Sequence, residues 1–422
     1  MAKYIVQPYK GKLNSRVKIS GCKNAALPIM CAAALSTETS TITEVPDLID
    51  INIMKDILVH LGANIQYDKQ TSTMTVAYSG NGSFEAPYDM VDKLRASVLS
   101  MGVLLATKGM AKVASPGGCP IGARPIDLHL KGFAAMGAEI QQGHGYVMAM
   151  ASKGLHGANI YLDFPSVGAT ENIMLAAVTA RGETIIDNAA NEPEIVDLAT
   201  FLSSMGADIS GAGTDKIRIQ GVKKLHAAEH AIMPDRIETG SFMTLAAAIG
   251  GRLEIVNAIP EHVKPISAKL REMGCQVVEE DGCLVVEVED TSKLKAVDIK
   301  TLPHPGFPTD MQAPFTALLC RSHGTGIITE TVFENRFLHV QELKRMGANI
   351  KIDGRTAYIE GGTPLTGTKV KAMDLRAGMA VILAALFAEG TTEVDDIYHV
   401  ERGYEDLPGK LRSLGIEIAR ID

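Results

Sequence analysis

Leu61-Gly62-Ala63-Asn64-Ile65 is a five-residue phrase that this chain uses six times. It returns as MGAEI at Met136, MGADI at Met205, MGCQV at Met273, MGANI at Met346 and LGIEI at Leu414. The spacing is about 70 residues, longer than most solenoid repeats. The phrase reads as a helix end, a glycine C-cap in the left-handed region, and the start of a strand. Before it stands an amphipathic helix, as in Ile195, Leu198, Phe201, Leu202 and Met205.

Further upstream each copy has a second helix built from Ala, Leu and Met on nearly every face. These are residues 25–35, 96–107, 170–180, 242–249, 313–319 and 377–388. A helix that is apolar all round is buried all round. A glycine and a β-branched strand come next, as in ETIID, RLEIV and GIITE. Each copy is therefore inner helix, strand, outer helix, Gly, strand. Six copies predict an α/β fold of two pseudo-threefold domains, each with three buried helices inside a coat of sheets and outer helices. The alternative is one large doubly wound sheet, which does not need a buried helix in every copy.

The 422 residues are too many for one ordinary core. Apolar residues make up 46%, which excludes general disorder. The net charge is -8 and no Lys/Arg run appears, so nucleic acid is not an expected partner. The N-terminal stretch lacks the apolar core of a signal peptide. The longest apolar run, Met379–Ala388, is about half a membrane span. The expectation is a cytoplasmic protein without membrane contact. Six cysteines show no CxxC pair and no zinc spacing with His, so no metal is expected.

Function should sit where the repeats differ. Three connections between strand and outer helix carry Arg124, Arg336 and Arg402, and two inner helices begin with Arg95 and Arg376. An arginine at a helix N-terminus opposes the dipole. It becomes favourable when an anion is held there by guanidinium and free N–H groups together. The competing reading is ordinary salt bridges with nearby Asp or Glu.

The second connection is long and Gly-rich, Ser115-Pro116-Gly117-Gly118-Cys119-Pro120-Ile121-Gly122-Ala123-Arg124-Pro125, and reads as a mobile flap. Pro125 suits the first turn of the next helix. Cys119 lies near Arg124, and a cationic neighbour lowers a thiol's pKa. Lys23, before an apolar helix, is a candidate phosphate ligand. Asp310, in the Pro-braced turn His304–Met311, is either a helix N-cap or a general base.

These segments together resemble the UDP-N-acetylglucosamine 1-carboxyvinyltransferase family, the enolpyruvyl transferases of early peptidoglycan synthesis. The likeness spans essentially the whole chain. It is carried by SGCKNAALP at 20–28, LRAS at 94–97, PGGCPIGARPIDLH at 116–129, PSVGATENIM at 165–174, NEPEIVDLA at 191–199 and PDRIETG at 234–240. FPTDMQA at 307–313, ETVFENRF at 330–337, DLRAG at 374–378 and RGYEDL at 402–407 complete it.

The resemblance implies two inside-out α/β barrels, residues 22–233 and residues 1–21 with 234–422, with the active site in the cleft. It implies transfer of enolpyruvate from phosphoenolpyruvate to the sugar 3-hydroxyl through a tetrahedral phospholactoyl intermediate, with phosphate released and no cofactor. Lys23, Arg124 and Arg402 would hold phosphoenolpyruvate. Cys119 would be the general acid and the fosfomycin target, and Asp310 the base. Asn24, Arg95, Val332 and the run Arg124, Pro125, Ile126, Asp127, Leu128 would contact UDP-N-acetylglucosamine. Ser166, Val167 and Gly168 would hold its diphosphate, and Asp374, Arg376 and Arg336 would line the opposite wall. Some members have Lys two residues before the Ser-Val-Gly turn, where this chain has Phe164 and Pro165.

Two other readings share part of this pattern. The shikimate-pathway enolpyruvyl transferase has the same fold and chemistry, but it carries a Gly-Ser-Lys-Ser type segment where this chain has Gly21-Cys22-Lys23-Asn24, and it lacks the Cys flap. A catalytically silent sugar-nucleotide-binding paralogue would have no reason to keep Lys23, Cys119, Asp310 and Arg402.

Overall fold

The structure is a computed structural model that describes residues 2–114, 121–122, 125–143 and 145–422. The chain divides into two compact units, one of residues 1–20, 120–122 and 234–422, the other of residues 21–119 and 123–233. Each has its own apolar core. Among the described residues no helix is long and apolar enough to cross a membrane.

Six inner helices appear where the apolar segments predict them. They are Lys23–Ala33, Ser100–Lys108, Val167–Ala177, Arg236–Ile249, Gln312–Arg321 and Leu375–Phe387. The last is buried without interruption from Arg376 to Leu386. Within each unit the three inner helices pack on one another. Burying each Leu, Met or Phe there contributes roughly 1.5–3 kcal/mol. The outer helices bury one stripe only. Lys264–Met273 hides Ile266, Leu270 and Met273 and leaves its lysines and Glu272 outward.

All six phrase glycines adopt positive φ, between 80° and 109°. In five copies the residue after the glycine donates its N–H to a carbonyl five residues back, as Ala348 does to Leu343 at 3.0 Å. That bond closes the helix end and turns the chain into the strand.

The strands form six separate four-stranded sheets, not one large one. In each, a lead-in strand runs parallel to the strand after the inner helix, and two antiparallel strands complete the sheet. The repeat as read from sequence lacked two of these strands. In three cases a missing strand comes from a distant segment. Glu229–Ala231 pairs with Ser40–Thr43 and closes the ring of the 21–233 unit. Leu13–Lys18 pairs with Gly251–Val256, and Lys3–Val6 lies between Thr392–Asp395 and Ile418–Ile421. Each unit is thus an inside-out α/β barrel with its helices at the centre.

Candidate active site

The heads of the inner helices carry several of the residues singled out by the sequence, among them Lys23, Ser166 and Arg376. Asp374 caps the sixth inner helix, its Oδ1 accepting from the N–H groups of Arg376 and Ala377, both at 2.8 Å. Asp235 caps the fourth in the same way, at 2.7 and 3.0 Å. Asp310 breaks this pattern. It sits in a 3₁₀ turn, Thr309–Met311, and the fifth inner helix begins at Gln312 without any side-chain cap. The N-cap reading of Asp310 is therefore wrong. Its carboxylate is turned toward two arginines instead.

Arg336 donates from Nη2 to Asp310 Oδ1 at 2.6 Å. Arg376 donates from Nε and Nη2 to Oδ2 at 3.2 and 3.0 Å. Both guanidiniums are buried, with side chains 7% and 5% exposed, while Asp310 keeps 25%. Burial pushes the Asp310 carboxyl up, but Arg336 and Arg376 outweigh it and hold the group far below the usual carboxylate range. Arg376 lies over the Tyr404 ring at 5.4 Å, and Arg336 over Phe333 at 5.1 Å.

Glu330, fully buried, is a brace that the sequence reading missed. It accepts from Thr301, from Thr309 and from the N–H groups of Val332 and Phe333, at 2.8–3.1 Å. Thr309 in turn accepts from Arg336 Nη1 at 2.7 Å. Glu330 thereby sets both the Val332 turn and Arg336. Arg402 comes directly after the short helix Tyr398–Glu401 and is half-buried.

In the other unit Lys23 is the first residue of its helix. Its Nζ lies 3.0 Å from Asp50 Oδ2, with side chains 12% and 3% exposed. Asp50 was not singled out, although an acid on the inner face of the outer helix Ile49–His60 is a signal. Asn24 is half-buried beside it. Arg95 opens a 3₁₀ turn and reaches the Pro125 carbonyl at 3.4 Å. Pro125 lies two residues ahead of the helix Asp127–Ala135, not in its first turn, because Ile126 takes the N-cap place. Asp127 is exposed and Leu128 half-buried.

Ser166 caps the third inner helix, accepting from Ala169 at 3.3 Å, with Val167 and Gly168 in the first turn. The Ser166 hydroxyl accepts there and keeps its own hydrogen to donate, and the helix N-terminus offers N–H groups to an anion. Beneath it His129 is buried and meets Asn172 Nδ2 at 3.0 Å through Nδ1. Asn172 accepts from the Gly102 N–H and donates to the Val98 carbonyl, both at 2.9 Å. The amide must then donate to His129, so the ring proton sits on Nε2. Burial first, and Arg95 second, push the His129 pKa down to about 3, which keeps the ring neutral. A Cβ on Gly168 would sit 3.3 Å from His129 Cε1. The polar triplet Thr170-Glu171-Asn172, inside a helix otherwise apolar, was the signal for this network.

Cys119 and Arg124 lie outside the described residues, as does most of the flap. Among the described residues no group of three His, Cys, Asp or Glu side chains is arranged to hold a metal ion.

A family model for EPSP synthase (3-phosphoshikimate 1-carboxyvinyltransferase) matches residues 8–411. A protein of Caldanaerobacter subterraneus subsp. tengcongensis, UDP-N-acetylglucosamine 1-carboxyvinyltransferase 1, is 56% identical over 99% of both chains. UDP-N-acetylglucosamine 1-carboxyvinyltransferase 2 of Carboxydothermus hydrogenoformans is 55% identical over the whole of both. The enzyme numbered 1 in Halalkalibacterium halodurans is 53% identical over all of this chain and 95% of its own. Among solved structures, the enolpyruvyl transferase NikO from Streptomyces tendae superposes with a TM-score of 0.88 at 25% identity, covering 99% of this chain and 98% of its own. EPSP synthase from Acinetobacter baumannii gives 0.76 at 19% identity over the whole of both chains, a likeness of fold.

Proposed function

The chain belongs to the EPSP synthase family, and we propose that within it the chain transfers enolpyruvate from phosphoenolpyruvate to the 3-hydroxyl of UDP-N-acetylglucosamine, releasing phosphate. The observation that carries this reading is 53–56% identity, over essentially full length, to three relatives named for that one activity. The family model bears the name of the shikimate-pathway enzyme, but the solved EPSP synthase is only 19% identical. The Cys22-Lys23-Asn24 segment and Cys119 also favour the sugar-nucleotide substrate.

In this reading Lys23, Arg124 and Arg402 hold the phosphate and carboxylate of phosphoenolpyruvate. The sugar oxygen attacks C2 as its proton passes to Asp310, and Cys119 delivers a proton to C3. The tetrahedral intermediate then loses phosphate, and a proton leaves C3 to restore the enol. Asn24, Arg95, Val332 and residues 124–128 contact UDP-N-acetylglucosamine. Ser166, Val167 and Gly168 offer backbone to its diphosphate. Arg336 and Arg376 tune Asp310, and Asp374 acts by fixing the helix that carries Arg376.

The arginine pair gives Asp310 a specific behaviour. Held between two guanidiniums it is always ionised but weakly basic. An anionic substrate group arriving at either guanidinium draws that charge away, and the carboxylate becomes a better base just when the hydroxyl is present. The reaction places the chain in the cytoplasm at the start of peptidoglycan synthesis, with consequences for cell shape and division, and makes it a target of fosfomycin through Cys119.

Phosphate release tests the assignment. It should require phosphoenolpyruvate and UDP-N-acetylglucosamine together and stop after fosfomycin treatment. Release with 3-phosphoshikimate in place of the sugar nucleotide would move the chain to the shikimate reaction, and no release with either would mark a silent binder.

A further inference from the structure

The chain leaves the Asp310 unit after Ser20 and re-enters it at Pro234. The two crossing points are tied together, since the Asp235 N–H donates to the Ser20 carbonyl at 2.9 Å. Ser20 is also bound through its own N–H, which donates to Glu238 Oε2 at 2.8 Å. Lys410 donates to Glu238 Oε1 at 2.5 Å and to Ser20 Oγ at 2.7 Å. The Ser20 hydroxyl then has one hydrogen to give, and it goes to Glu405 Oε2 at 2.5 Å. Four residues from separate parts of the chain close one network. The Glu238 side chain is 3% exposed and that of Lys410 17%. Burial raises the Glu238 pKa, and Lys410 opposes the rise.

Glu405 stands three residues after Arg402. The same short segment is held a second time by Tyr404, whose hydroxyl lies 2.8 Å from Ser241 Oγ and whose ring lies under Arg376. Between them Gly403 packs so tightly that an added Cβ would meet Leu375 at 2.5 Å. Desolvating Glu238 and Lys410 is costly for a joint that only has to hold neighbouring segments together. That cost makes sense if the joint also fixes the pose of the neighbouring Arg402 segment.

We propose that Ser20 and Lys410 are positioning residues for the transfer reaction: they lock the Arg402 segment to the point where the chain crosses between its units, so that Arg402 meets phosphoenolpyruvate in one fixed pose. This rests on the reading of Arg402 as a phosphoenolpyruvate ligand. Neither residue needs to touch substrate.

The test compares Ser20→Ala, Ser20→Thr and Lys410→Met in the full chain by phosphate release, with KM taken separately for each substrate and a thermal melt for each variant. Ser20→Ala removes the hydroxyl's bonds to Lys410 and Glu405, and loss of the Glu405 bond should raise KM for phosphoenolpyruvate roughly three- to tenfold. Its KM for UDP-N-acetylglucosamine should stay at the wild-type value, and its melt should fall by no more than a few degrees. Ser20→Thr, which keeps the hydroxyl, should restore the phosphoenolpyruvate KM. Lys410→Met should shift the same KM further and also lower the melt, because it strands Glu238. If Lys410→Met does not fold, the Ser20 pair alone decides. A wild-type phosphoenolpyruvate KM in Ser20→Ala, or equal rises in both KM values, would overturn the positioning role while leaving the reaction intact. A wild-type chain that releases no phosphate would instead remove the reaction, and the positioning role with it.

Discussion

The Asp310 corner of one unit and the Lys23 corner of the other both put cations at the head of an inner helix, and both hold them with the chain's own acids. They differ in balance. At Asp310 two buried guanidiniums share one carboxylate. At Lys23 one ammonium meets the Asp50 carboxylate, and the same unit also builds on the neutral pair His129 and Asn172. The first arrangement sets two guanidiniums on one carboxylate, with Asp235 a further negative charge acting on Arg376. In the proposed reaction the second would release its lysine when the substrate anion competes for it. Read from sequence, arginines at these helix heads await an external anion. For Arg336 and Arg376 the anion that the structure shows is Asp310, which is the salt-bridge reading, and an external anion at the same guanidiniums belongs to the proposed reaction.

The sharpest way to break the comparison is Asp310→Asn. Turnover should fall about a hundred- to ten-thousand-fold, as for loss of a general base. Two buried guanidiniums would also lose their anion. Breaking a buried pair costs about 3–5 kcal/mol, and the partial exposure of Asp310 puts the loss at the low end. Phosphate-release kinetics and thermal melts check both. Near-wild-type turnover would mean that the base lies elsewhere. The pH dependence has a definite sign. The folded pKa of Asp310 is depressed, so its contribution to stability is fully present above the unfolded carboxylate value of about 4 and is lost only as pH falls below that. Melts between pH 5 and 9 should show no step from it.

The cores should behave alike where the corners do not. Leu175 and Leu383 are both fully buried on inner helices, one in each unit. Leu→Ala at either should cost about 2–5 kcal/mol, read from denaturant unfolding. A much smaller cost in one unit would show that its three-helix centre is looser, and the two barrels would no longer be energetic equals.

Among the described residues each unit also buries one neutral histidine, and these sharpen the contrast at acid pH. His129 is pushed down to about 3, and burial with Arg336 nearby pushes His339 down to about 4 against the pull of Asp374. His129 is bonded to Asn172, whereas neither ring nitrogen of His339 has a partner among the described residues. A lowered histidine pKa means that the unfolded chain binds the proton first, so stability falls as pH drops from about 6.5 toward the folded value. His129→Gln should remove up to about 2 kcal/mol of that loss at pH 5. Melts at pH 7.5 and 5 check this, and an unchanged acid dependence in the variant would mean that His129 titrates normally.

The smallest expected effect is at the Lys23 corner itself. If Asp50 only stores the lysine, Asp50→Asn should change KM for phosphoenolpyruvate by roughly tenfold or less and leave kcat nearly unaltered, because the amide oxygen can still accept from Lys23 and only the charge is lost. A collapse in kcat like that of Asp310→Asn would erase the distinction between the two corners.

By itself the sequence determined the repeat, the six buried helices and the glycine turns, because each stems from local periodicity and from backbone angles that favour Gly. It also marked Lys23, Arg336, Arg376 and Asp310 as unusual, because charges beside apolar helix starts are conspicuous in one dimension. Tertiary structure alone decided what those charges face. Asp50 for Lys23, Arg336 and Arg376 for Asp310, Thr309 for Glu330 and Glu405 against Ser20 are pairings across 21 to 385 residues of chain. No local pattern encodes such a partner. The missing sheet strands fall under the same rule: Lys3–Val6 and Leu13–Lys18 look like two plain strands, and only ring closure assigns them to the sixth and fourth repeats. Asp310 shows the reason most plainly, since its local setting suits a helix cap and only two distant guanidiniums turn it away from that task.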